Sequence, residues 1–127
     1  MLGEKNVAAM LAVRDVTRAR DFYENTLGLE LLSEAQDAIV YQSGDSVAVV
    51  YPSEYAGTNK ATAASWAVGE EFDQIVDGLR GKGVAFEHYD DVPDVTRDGD
   101  VHTGGGIRAV WFKDPDGNIL SVIDQAM

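Results

Sequence analysis

Phe112-Lys113-Asp114-Pro115-Asp116-Gly117-Asn118-Ile119-Leu120 decides the fold. Asp114 suits the first position of a tight turn, because its carboxylate accepts backbone N–H groups downstream. Pro115 presets φ for the second position, and Gly117 takes the left-handed conformation that closes a type I turn with a bulge. Apolar runs flank the turn: residues 107–112 are interrupted only by Arg108, and residues 119–123 only by the hydroxyl of Ser121. The stretch is therefore a β-hairpin.

Upstream, the same alternation of element types occurs twice. Residues 7–13 are a short apolar run read as a strand. Residues 15–27 change to helical period, with Ala19, Phe22, Tyr23 and Leu27 on one face and Arg18, Arg20, Asp21 and Glu24 on the other. Asp15 or Thr17 caps this helix and Gly28 ends it. Residues 29–32 begin a strand, and 38–42 and 47–51 flank Ser43-Gly44-Asp45-Ser46 as a hairpin. Small polar residues 53–62 form a linker. Residues 63–68 are then a strand, Phe72, Ile75, Val76 and Leu79 form a helical stripe ended by Gly81 and Gly83, and 84–89 return as a strand. The offset that relates Val13 to Val68 also relates Gly28 to Gly83. One strand–helix–strand–strand–strand unit is used twice, over about 4–52 and 62–127, within a single domain of 1–127. The halves differ at residues 89–106, an aperiodic acidic loop ending in Gly104-Gly105-Gly106, which the sequence suggests as a lid and its hinge.

The 127 residues suffice for one core, and 45% hydrophobic with 25% charged residues is globular composition. A net charge of −12 without a Lys/Arg cluster argues against nucleic acid and anionic membranes as partners. Without cysteine there is no disulfide and no thiolate ligand. Residues 1–6 lack the basic start and apolar run of a signal peptide, and no apolar stretch reaches membrane-spanning length, so a cytoplasmic protein is expected.

The doubled βαβββ unit, Val13-Arg14-Asp15 leading into a helix with Phe22-Tyr23 and Leu27-Gly28, and Asp114-Pro115-Asp116-Gly117-Asn118 before the last strand together resemble the vicinal oxygen chelate superfamily. Glyoxalases, extradiol dioxygenases, and fosfomycin and bleomycin resistance proteins are among its members. The resemblance covers essentially the whole chain. It implies an α+β fold in which two βαβββ modules curl a mixed sheet into a cup, and a homodimer. Metal-dependent members hold a divalent ion on the cup floor, and the corresponding positions here are Ala8, Ala63, Ser121 and a residue near Val49. Methyl and isopropyl groups coordinate nothing, and one hydroxyl poorly replaces a carboxylate. No metal and no cofactor are expected.

By strand parity, Ala8, Met10 and Ala12, then Ala63, Ser65 and Ala67, then Ile119, Ser121 and Ile123 share the inward face, joined by Trp111, Tyr41 and Val49. Trp66 is assigned to the core. The ligand-binding set is Met10, Tyr41, Val49, Ser65, His102, Arg108, Trp111 and Ser121, with His102 and Arg108 as donors at the rim. Such a face suits a small organic molecule bound without metal. The alternative is a lyase, isomerase or dioxygenase with displaced ligands, drawing on His88, His102 and the acids Asp90, Asp98 and Asp100. Asp114 and Asp116 are turn formers in this reading.

Overall fold

The hairpin turn forms as its residues dictate. In the computed structural model, which describes residues 1–126, Gly117 N donates to Asp114 O at 3.1 Å and Asp114 N to Asn118 O at 3.0 Å. Gly117 sits at φ +95°, so a type I turn closes on a left-handed glycine. Asp114 Oδ1 accepts from Asp116 N at 2.9 Å and Asn118 N at 2.8 Å, and Oδ2 accepts from Asn118 Nδ2 at 2.7 Å. The carboxylate thereby organises the whole turn.

The chain runs β1 (Ala9–Val13), α1 (Val16–Asp21), β2 (Glu30–Ala35), β3 (Ala38–Ser43), β4 (Ser46–Pro52), β5 (Thr62–Ala67), α2 (Phe72–Gly81), β6 (Thr96–Asp98), β7 (Val101–Gly104), β8 (Ile107–Lys113) and β9 (Ile119–Ile123). The class is α+β. The strands form a four-stranded sheet, ordered β1-β4-β3-β2, and a five-stranded sheet, ordered β5-β9-β8-β7-β6. No helix among the described residues is long and apolar enough to cross a membrane.

One compact unit comprises residues 1–63 and 114–118. Its sheet pairs β1 parallel to β4, and β4 and β2 antiparallel to β3. Leu11, Val13, Ile39, Tyr41, Ala48 and Val50 are buried on one face, as are Ala19 and Tyr23 of the helical segment. Asp15 caps α1, accepting from Arg18 N at 3.0 Å. The helix does not stay regular to Leu27: it widens into a π turn at Phe22–Thr26, with Leu27 N bonded to Phe22 O at 2.9 Å. The turn at 114–118 is fastened within this unit. Tyr23 Oη donates to Asp114 Oδ2 at 2.7 Å, Asn118 Nδ2 to Ala12 O at 2.7 Å, and an Arg18 guanidinium N–H to Pro115 O at 2.9 Å.

The other unit comprises residues 64–113 and the segment from Ile119 onward. The expected stripe of α2 buries Phe72, Val76 and Leu79. Val110 and Phe112 of β8 and Leu120 and Val122 of β9 are buried on the helix-packed side of the sheet. Trp66 is half-buried rather than a full core residue, because β5 has a mixed, largely accessible burial pattern.

Two expectations for this unit need correction. Residues 84–89 form no continuous strand; a single antiparallel bridge, Phe86 to Phe112, and the bond from Glu87 N to Trp111 O at 2.7 Å hold them extended. Residues 89–106 are an aperiodic loop only as far as 95. Asp98-Gly99-Asp100-Val101 makes a tight hairpin between β6 and β7, with Gly99 at φ +61°. Gly105 and Gly106, at φ +60° and +78°, form the two-residue turn between β7 and β8. The glycines therefore close a hairpin and do not hinge a lid, since β7 is hydrogen-bonded into the sheet on both sides.

Candidate functional site

The face of the five-stranded sheet opposite α2 assembles much of the expected set. Trp111 pairs with Ser121 and Ala109 with Ile123, while His102 on β7 pairs with Ala109. Cross-strand partners share a face, so His102, Ala109, Trp111, Ser121 and Ile123 lie side by side. Ser121 Oγ donates to Ser65 Oγ at 2.6 Å, which puts β5's Ser65 on the same side. Lys113, at the end of this face, is ion-paired with Glu87 at 3.3 Å. The rest is apolar apart from two hydroxyls and an imidazole, with Ala109, Ser121 and His102 buried and Trp111 and Ile123 half-buried.

His102 is 1% exposed. Its Nε2 accepts from Tyr89 N at 2.9 Å, which leaves Nδ1 as the ring's N–H donor. That Nδ1 is buried without a hydrogen-bond partner, and so is Tyr89 Oη. The rings of Tyr89, His102 and Trp111 contact one another, with centroids 4.9 Å apart for His102–Trp111, 5.6 Å for Tyr89–Trp111 and 6.0 Å for Tyr89–His102. Burial first, and Glu87 second, raise the Tyr89 phenol above its ordinary pKa, which keeps the hydroxyl a donor. Sequence reasoning missed Tyr89. The bridge at Phe86 fixes the alternation that turns Tyr89 toward Trp111, and that bridge has no signal in a strand pattern read alone.

Other expected residues are placed elsewhere. Met10 and Val49 are cross-strand neighbours on the accessible face of the four-stranded sheet. Tyr41 lies on the opposite face: it pairs with Ala48, is fully buried, stacks on Tyr23 at 6.2 Å and donates to Glu24 Oε2 at 2.9 Å. Parity explains this, because Tyr41 is one residue removed from Val40, the partner of Val49. Burial, then the bond to Glu24, raise the Tyr41 phenol well above its ordinary pKa. Arg108 is also on a helix-packed face. Its guanidinium lies 4.7 Å from the Phe72 ring and bonds Asp73 at 3.0 Å and Asp124 at 3.3 Å. It is an anchor of α2 and not a rim donor.

His88 is outside the Tyr89 cluster. Its Nε2 lies 2.8 Å from Asp100 Oδ1, and Arg80 bonds Asp100 Oδ2 at 3.0 Å. The His88 and Arg80 bonds hold the Asp100 carboxyl below the ordinary carboxylate range. Asp90 is committed to Arg97 at 2.7 Å. Among the described residues no three His, Cys, Asp or Glu side chains come together as a set able to hold a metal ion. At the positions that the resemblance marks for metal ligands, Ala8 and Ala63 offer no donor and the Ser121 hydroxyl is already paired with Ser65. The donor set does not fit a divalent metal at those positions. A cleft of about 330 Å³ beside Arg20, Glu34 and Ile39 is open to solvent, and its arginine is already paired with Glu24 and Glu34.

Residues 6–122 match the family model described as the Glyoxalase/Bleomycin resistance protein/Dioxygenase superfamily. Solved structures of similar fold include the glyoxalase/bleomycin resistance protein/dioxygenase from Alicyclobacillus acidocaldarius, 19% identical with a TM-score of 0.71 over 94% of this chain and 89% of that one. A lactoylglutathione lyase from Agrobacterium tumefaciens is 16% identical with a TM-score of 0.69, covering 94% and 92%. The fosfomycin resistance protein FosX from Mesorhizobium loti is 13% identical with a TM-score of 0.68, covering 98% and 94%. No curated protein matches the sequence.

Proposed function

The chain belongs to the glyoxalase/bleomycin resistance protein/dioxygenase superfamily, and from that premise we propose that it binds a small, partly aromatic organic molecule without a metal ion. The observation that carries the reading is the face around Trp111, where half-buried Trp111 and Ile123 adjoin the Ser65–Ser121 hydroxyl pair and His102. Apolar lining with a few polar groups is the usual make-up of a ligand site. Alanines at two inherited ligand positions support metal independence. Sequestration of an antibiotic or a metabolite fits such a site. The net charge of −12 favours a neutral or cationic ligand over a phosphorylated one. A homodimer is part of the proposal, and light scattering at micromolar concentration tests it, a monomer counting against it.

The His88–Asp100 pair, braced by Arg80, is the observation that favours the second reading, a lyase, isomerase or dioxygenase with displaced ligands. A thermal-shift screen of metabolites and antibiotics, run with and without divalent ions, separates the two. Stabilisation without metal supports the binder. Stabilisation only with metal, with turnover lost in His88→Ala, replaces it with the enzyme.

A further inference from the structure

We propose that Tyr89 Oη and His102 Nδ1 are paired donors that anchor an oxygen acceptor of the ligand, a carbonyl or similar neutral group on an aromatic frame lying against Trp111. The inference rests on the binding reading above and specifies the chemistry of the same face.

Two buried donors without partners in one three-ring cluster are the starting point. A buried polar hydrogen left unbonded is destabilising, and native interiors rarely keep one without a use. Here there are two, on residues that touch. The bond from Tyr89 N fixes the imidazole tautomer, so His102 presents an N–H at Nδ1 and has no lone pair to offer there. Tyr89 retains its phenolic proton. Tyr89 Oη cannot donate to His102 Nδ1, which already bears a hydrogen, and although the phenolic oxygen could accept from that N–H, neither atom has a hydrogen-bond partner. An edge-on contact of His102 with the Trp111 ring is present, at 86°. An N–H directed at an indole face is a weak bond and leaves the tyrosine hydroxyl unexplained. Both atoms are closed to solvent, so a ligand reaches them only as the cluster around them opens, and an oxygen with two lone pairs can then accept from both. A cation cannot, and a donor group cannot. A phosphate is disfavoured by the chain's charge of −12. The nearby Trp111 supplies the surface for the aromatic part.

The test uses the full chain and two naphthalenes of one shape, 2-acetylnaphthalene and 2-isopropenylnaphthalene, which differ in a carbonyl oxygen against a methylene. Binding is followed by tryptophan fluorescence. The ketone is expected to bind roughly tenfold tighter, as one to two net hydrogen bonds would give. In Tyr89→Phe and in His102→Phe that preference should shrink to within about threefold. A second readout needs no ligand: Tyr89→Phe removes an unbonded buried hydroxyl and should leave the melting temperature unchanged or raised. Equal binding of the two compounds by the native chain overturns the anchor while the binding reading stands. Failure of both compounds to bind overturns both. A melting temperature lowered by Tyr89→Phe shows that the hydroxyl is already bonded within the protein, and that also overturns the anchor.

Discussion

Tyr23 Oη and Asp114 Oδ2 are joined by a buried 2.7 Å hydrogen bond across 91 residues of sequence. The bond locks the hairpin turn into the first unit by the residue that also shapes the turn. Asp114 serves both purposes because its two oxygens divide the work. Oδ1 takes the turn's backbone N–H groups, and Oδ2 takes Tyr23 and Asn118. Burial, and then the neighbouring carboxylate, raise the Tyr23 phenol far above its ordinary pKa, so it remains a donor at neutral pH.

Tyr23→Phe should therefore destabilise the protein by about 1.5–3 kcal/mol, the range for a hydrogen bond to a charged group. Urea unfolding checks it. A midpoint equal to that of the native chain would show that Asn118 alone satisfies the Oδ2 atom.

Gly57 and Gly28 provide a matched comparison. Gly57 has φ +78°, and a Cβ there would run into the Asp116 carbonyl; Gly28 has φ +74° with nothing near its would-be Cβ. Gly28→Ala should lose only the left-handed penalty, about 1–2 kcal/mol. Gly57→Ala adds a backbone clash and should lose clearly more. Equal losses in chemical denaturation would remove the clash from the account.

The strongest signals in the sequence were local ones. Asp114-Pro115-Asp116-Gly117 and the Phe72–Leu79 stripe fix their own geometry, and both form as read. Residues 84–106 were legible only in part, for two different reasons. The Asp98-Gly99 turn was a hairpin signal hidden among acids that suggested a solvated loop. The bridge at Phe86 depends on a partner strand more than twenty residues away, at Phe112. Site residues divide the same way. Ser121, Ser65 and Trp111 followed from alternation along regular strands, and the structure puts them on one face. Tyr41 and Arg108 did not, because alternation puts each on the other face of its sheet, where carboxylates bind them: Glu24 for Tyr41, Asp73 and Asp124 for Arg108.

The Asp100 carboxyl predicts an acid-side effect. Its folded pKa is depressed, by the bonds to His88 first and Arg80 second. The folded state then binds fewer protons there than the unfolded chain. The contribution is present in full above the unfolded carboxylate value, about 3.9, and fades as pH falls through the lower folded value. Asp100→Asn should lower stability at pH 6, and the difference from the native chain should narrow as the pH is taken down from 4 toward 2. An unchanged offset between the two proteins across that range, in thermal melts, would argue against the ion-pair origin.

Trp111 carries the functional bet most directly. It lies with Ser121 and His102 on one face of the sheet, whereas Trp66 alternates with Ser65 and so belongs to the other side of β5. In Trp66→Phe, only Trp111 emits, and a naphthyl ketone binding at this face should change that emission strongly. In Trp111→Ala the same compound loses an aromatic contact of about 0.5–1.5 kcal/mol beyond buried area, so affinity should fall roughly threefold to tenfold. Trp66→Phe should leave affinity within about twofold, since a residue across the strand contributes shape and not contact. If Trp66→Phe weakens binding and Trp111→Ala does not, the ligand sits on the opposite side of the sheet. The face around Ser121 would then have to be abandoned as the site, whatever the protein binds.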